Sequence, residues 1–235
     1  MKITATLLVL AALISIAYSQ ETKFLIEAGG NYRNKKNTEL PNEHKIKRDM
    51  KSSTGSLVTQ IGYRLGKKSY LGLAYKHLHA TQAEDRRDQY SKEVLITLRD
   101  DETRENSYGL FYRYYIAPID LHRWNAFAEV SPGTSFKKRT VEGLSIMNDK
   151  DLDKITLPMH LGSFEEYREI NCDLRLGTSY LLSTHFLIQL SIHAVANLKY
   201  SSKSARVPGS SLPKPTFQLF DSPLSNTYLS LVYKI

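Results

Sequence analysis

The chain has 235 residues, 41% of them hydrophobic, with 32 Lys and Arg against 24 Asp and Glu for a formal net charge of +8. That length suits one domain with a sizeable core, or one barrel with long loops, and the single Cys172 excludes an internal disulfide framework. Past the first 20 residues no segment stays apolar for the ~20 residues that a membrane-spanning helix needs.

The chain opens on MKITATLLVLAALISIAYSQ, with basic Lys2, an apolar run from Ala5 to Ile16, and small Ala17 and Ser19 before Gln20. This is the pattern of a secretory signal peptide cut after Ser19, so 1–19 is expected to be removed and 20–235 to be the exported domain. Export argues against nucleic acid as the partner of the positive charge. Anionic lipid or glycolipid phosphates fit better.

From there the sequence alternates with period two, the mark of strands with two unlike faces. Eight such stretches follow, beginning with TKFLIEAGGNY, which sets Phe24, Ile26, Ala28 and Tyr32 against Lys23, Glu27, Gly29 and Asn31. SLVTQIGYRL sets Ile61 and Tyr63 against Gln60 and Arg64, SYLGLAYKH sets Leu71 and Tyr75 against Gly72 and Lys76, and NSYGLFYRYYIA sets Tyr112 and Tyr114 against Phe111 and Arg113. WNAFAEV, INCDLRLGTSYL, HFLIQLSIHAVANL and the closing SNTYLSLVYKI continue the pattern. Each is about as long as a tilted strand that crosses a bilayer.

The links between strands alternate in length. GKK, PIDLHR and ST are short, whereas the links from first to second, third to fourth, fifth to sixth and seventh to eighth strands are long and polar. Membrane barrels segregate short turns and long loops to opposite ends in this way. On the apolar faces, Phe24, Tyr63, Tyr114, Trp124, Tyr180, Phe186 and Tyr233 all map to the short-turn end and form one expected interfacial girdle. A looser second ring at the other end contains Tyr32, Tyr75, Tyr108 and Phe136.

In these features the chain resembles the small eight-stranded outer-membrane barrels of Gram-negative bacteria, the OmpA/OmpX-type group, and within it the barrel-only proteins common in Bacteroidetes. The resemblance covers the whole mature chain and is one of pattern. It implies an all-β, antiparallel, up-and-down transmembrane barrel with short periplasmic turns and long extracellular loops, complete at Ile235. The group often ends on an aromatic residue that signals to the assembly machinery; here Ile235 is last and Tyr233 is the nearest aromatic. The group's peptidoglycan-binding domain has no counterpart.

The polar faces would then line a narrow lumen, where Glu27, Arg64, Lys76, Arg113, Glu129, Asp173 and Arg175 are expected to pair as an interior ion network, with a conducting channel as the sharper alternative. Gly62, Gly72, Gly109 and Gly177 would make room for those long side chains. The first loop carries a basic patch of Arg33, Lys35, Lys36, Lys45, Lys47, Arg48 and Lys51, suited to lipopolysaccharide phosphates. In the mixed second loop, VLIT suggests a short hairpin above the membrane.

Signals for chemistry are sparse. Asp149, Asp151 and Asp153 are spaced like the start of a calcium loop, but Lys154 and His160 stand where its Gly and closing Glu belong. His77 and His79 share a face without the further ligands a metal site needs. His193 with Ser191 or Ser201 has no triad spacing, and no nucleophile-elbow or zinc-protease motif occurs. No cofactor and no metal are expected. The reading is a monomeric barrel with a structural or surface-binding role, partnered by outer-membrane lipid, lipopolysaccharide and a host or matrix surface. The first and fourth loops, the latter with Lys199, Lys203, Arg206 and Lys214, are expected to carry that role. A lipid A-modifying enzyme and a soluble lipocalin-like barrel are the alternatives.

Overall fold

The computed structural model describes residues 23–39, 47–89, 93–119, 122–149, 159–203, 215–219 and 226–235. The expected signal peptide lies outside them. Among the described residues nine strands form: β1 (Phe24–Glu39), β2 (Lys47–Gly66), β3 (Ser69–Gln89), β4 (Glu93–Tyr115), β5 (Trp124–Asp149), β6 (Met159–Leu181), β7 (Phe186–Lys203), β8 (Thr216–Leu219) and β9 (Thr227–Lys234). Each of β1 to β7 pairs antiparallel with the next, and β9 pairs with both β7 and β1, which closes a ring. No sheet edge is then left open at the level of β9, a condition that a strand in hydrocarbon must meet.

The eighth wall strand comes in two pieces. β9 pairs with Phe186–Ile192 of β7, and β8 pairs further along with Ala196–Lys199. Between these segments β7 bulges: Leu174 of β6 faces Ala196 while Leu176 faces Ile192, and Ala194 takes φ 52°. That left-handed backbone is uncommon outside glycine, and it absorbs the extra residues of the bulge.

Strands β2 to β6 run 20 to 26 residues, well beyond the ~9–11 that cross a bilayer. Much of what the sequence pattern reads as loop is therefore paired strand. The first link is ladder from Arg33 to Glu39 and again from Lys47, and Val94–Thr97 belong to a full hairpin of β3 and β4. Residues 33–39 are polar throughout, and pairing persists there without an apolar face because each backbone group finds its partner across the hairpin.

Side-chain direction settles which face is inside. Leu73 is 60% exposed and Leu110 52%, whereas Arg113 and Glu27 are 0% exposed. This inverts the apolar interior and polar exterior of a lipocalin, and the soluble-barrel alternative falls with it. The interior is not uniformly polar, however. Leu25, Tyr70, Phe111, Tyr115, Phe127, Leu187 and Val232 point inward and pack with Ile119 of the β4–β5 turn as an apolar floor. Gly62 and Gly177 make room for that floor rather than for charged side chains: a Cβ at Gly62 would stand 2.7 Å from the Phe111 ring, and one at Gly177 2.6 Å from Phe127.

Candidate functional site

On the apolar floor rests a layer of four charges. Glu27 of β1 bridges two guanidinium groups, Arg113 of β4 at 2.5 Å and Arg175 of β6 at 2.5 Å. Arg113 also donates to Glu129 of β5 at 2.7 Å, to Gln60 at 2.6 Å and to Gln189 at 3.1 Å. Both guanidinium groups stack over Phe127, with Arg113 4.6 Å and Arg175 5.3 Å from its ring centre. Two positive and two negative groups, each at most 1% exposed, leave no net charge in the layer. Burying such charges is tolerable only when each is matched and hydrogen-bonded. Here the lumen is filled by them.

Of the seven residues expected to pair across the lumen, the structure brings four together. Lys76 and Asp173 lie above the layer, around a cavity of about 250 Å³ that Glu105, Arg175, His193 and Asn197 also line. Asp173 accepts from the Asn197 amide, and the Lys76 ammonium sits 5.9 Å from the Tyr228 ring, on which His193 stacks at 3.9 Å. Arg64, paired with Tyr70 near the end of β2, donates to the carbonyl of Gly66 at 3.1 Å. Higher still, Lys137 joins Glu169 at 2.5 Å and Glu105 at 3.4 Å, a pairing that single-strand patterns do not reveal.

The expected girdle residues lie at the short-turn end and meet across strands. Phe24 packs on Tyr63 at 5.3 Å, Trp124 on Tyr180 at 4.8 Å and Phe186 on Tyr233 at 4.8 Å, with Tyr114 exposed alongside. At the other end Tyr108 touches both Tyr75 and Phe136. Between the two rings the outward side chains are apolar, among them Ile61, Leu73, Leu110 and Val130. A closed barrel with charges inside, an apolar belt outside and aromatic girdles at both belt edges has one solvent that suits it. The chain is a small outer-membrane β-barrel.

No family model matches this barrel's sequence, and a search of curated proteins finds no match. Among solved structures it is similar to Neisserial surface protein A (12% identity, TM-score 0.38, covering 90% of this chain and 97% of that one). It is also similar to the N-terminal barrel domain of Pseudomonas aeruginosa OprF (11%, 0.34, 92% and 100%) and to Ail of Yersinia pestis (10%, 0.34, 92% and 100%). These overlaps are loose, and the assignment rests on the barrel's own geometry.

The basic patch of the first link is not one surface. Arg33 and Lys35 alternate with Lys36 along β1, so they leave the wall on opposite faces, and Lys36 stands across from Lys51. Arg48 is engaged by Glu84 at 2.7 Å. Lys45 lies outside the described residues, as do Asp151, Asp153, Arg206 and Lys214. Lys199 belongs to the β7 wall rather than to a loop, and it lines the luminal cavity.

Among the described residues no group of three His, Cys, Asp or Glu side chains gathers as for a metal. His77 meets Asn106 at 2.9 Å and His79 meets Glu102 at 2.8 Å, each on its own partner. Ser191 and His193 both line the lumen, but among the described residues Ser191 Oγ, Ser201 Oγ and His193 Nε2 have no hydrogen-bond partner, and no nucleophile–base–acid relay is assembled there.

Proposed function

We propose that this barrel is a surface-interaction protein: a sealed scaffold in the outer membrane whose outer hairpins meet a host or matrix surface. One observation carries the reading. The lumen is filled by a charge-neutral layer of four buried side chains, while the strands continue past the lipid belt as paired hairpins up to Gln89 and Glu93. A blocked interior with an elaborated outer rim supports recognition at the rim, where rigid strands hold side chains in fixed register. The rim is monomeric in this reading and needs no cofactor.

The test trims the β3–β4 hairpin to a short turn at the level of Thr81 and Thr103. Cells displaying the full chain should adhere to a surface coated with extracellular matrix, and cells displaying the trimmed chain should not, while both proteins keep the heat-dependent gel mobility of a closed barrel. Equal adhesion by the two, or none by the full chain, would overturn the proposal.

A further inference from the structure

The outer wall carries a feature that the luminal network and the hairpin tips do not explain. Strand register sets His79 of β3 opposite Arg104 of β4, and Arg104 opposite Lys138 of β5, in one outward row. The row beneath holds His77, Asn106, Phe136 and Arg168. Below that come Tyr75 and Tyr108, the upper edge of the apolar belt.

Arg104 and Lys138 are like charges directly across a strand pair, an arrangement that destabilises a sheet unless something offsets it. Their side chains are 63% and 64% exposed. Each has one carboxylate, Glu102 at 2.7 Å and Glu166 at 2.5 Å, and exposed pairs of this kind are worth roughly 0–1 kcal/mol. Arg168 lies diagonally below Lys138, with its guanidinium 5.7 Å over the Phe136 ring. Aromatic support at the belt edge holds that cation at headgroup height.

Directly beneath, the wall is dented. Pro132 has no N–H to donate, and the β4–β5 ladder lapses between the pairs Gly109–Gly133 and Tyr112–Val130. The resulting groove of about 710 Å³ opens outward and is lined mainly by Ile61, Leu73, Tyr75, Tyr108, Leu110 and Pro132. An apolar groove in the lipid belt with clustered cations at its upper end has the polarity of an anionic amphiphile. In hydrocarbon, an acyl chain is the group that fills it.

We propose that this face of β3 to β6 docks a phosphorylated glycolipid of the outer leaflet, with an acyl chain in the groove under Tyr75 and Tyr108 and a headgroup phosphate among Arg104, Lys138 and Arg168. The proposal rests on the outer-membrane placement above. It moves the phosphate contact from the first link to the barrel wall. Phosphate suits the site because Arg and Lys bind it through charge-assisted hydrogen bonds.

The test uses the refolded barrel in neutral detergent, titrated with diphosphorylated lipid A or with the same lipid after dephosphorylation. The readout is the temperature at which the heat-resistant gel band disappears. Phosphorylated lipid should raise that temperature and dephosphorylated lipid should not. In the Arg104→Gln, Lys138→Gln double variant, half-saturation should need roughly 25-fold more lipid, since each basic residue near an anionic surface contributes a factor of about five. Arg168→Gln should weaken binding less, and Lys36→Gln with Lys51→Gln should leave it unchanged. Equal response to both lipids, wild-type binding by the double variant, or loss confined to the Lys36 and Lys51 variant would each overturn the site. Absence of any heat-dependent mobility in the wild-type protein would instead count against the outer-membrane placement itself.

Discussion

The luminal layer and the outer hairpins use the same pair of residue types, Arg with a carboxylate, to opposite ends. In the lumen Arg113, Arg175, Glu27 and Glu129 are withdrawn from solvent and each contacts more than one partner. In the hairpins Arg139 pairs with Asp101, Arg104 with Glu102 and Lys138 with Glu166, and at least one partner of each pair remains open to water. Burial decides what each pair is worth. A buried charge that loses its partner is stranded in a medium that cannot solvate it, whereas an exposed one is simply hydrated.

The sharpest way to break the comparison is Arg113→Ala. It leaves the two buried carboxylates Glu27 and Glu129 to share the one remaining cation Arg175, and the expected loss is about 3–5 kcal/mol in urea unfolding from detergent micelles. A loss below about 1 kcal/mol would show that water reaches the layer and that the lumen is not sealed. The floor beneath gives the next largest effect. A methyl group at Gly177 would press on both the Phe127 ring and the Leu190 carbonyl, so Gly177→Ala should cost about 1–3 kcal/mol. Gly162→Ala, where nothing lies within 4 Å of the added carbon, should cost under about 0.5 kcal/mol in the same assay. Equal costs at the two positions would mean the floor yields more readily than its contacts suggest.

How far these features can be read in the sequence depends on whether they live within one strand or between strands. Alternation along a single strand sorts Ile61 from Gln60 and Tyr112 from Arg113, so the barrel, its inverted polarity and the lower girdle are legible from period two alone. The row of His79, Arg104 and Lys138 is not legible that way, because its members come from three strands and meet only once register is set. The extent of the hairpins was hidden for a different reason. Past the belt both faces of a strand meet water, the hydrophobic period disappears, and segments such as 33–39 and 94–105 look like loops. Leu25 and Phe127 sit on faces labelled polar by their neighbours. Their inward packing follows from closure of the floor by Ile119, which no single-strand pattern contains.

Among the ion pairs the smallest effect expected is at Asp101, beyond the lipid belt, and it separates the two classes of ion pair by pH. Hydrogen bonds from Arg139 hold the Asp101 carboxyl below its ordinary range against the opposing effect of partial burial, and the charge of Arg99 adds to the lowering. A carboxyl depressed in the folded state contributes stability that is fully present above its unfolded value and is lost as pH falls through the folded one. Wild type should therefore exceed Asp101→Asn by less than about 1 kcal/mol from neutral pH downward. That margin should begin to close near the ordinary aspartate value of about 3.9 and vanish only below the depressed one. Unfolding midpoints of the two proteins measured across this range provide the check. A margin that grows on acidification would reverse the sign and remove Arg139 as the cause. A margin of several kcal/mol would place the pair with the luminal layer, and exposure would no longer distinguish the two regions.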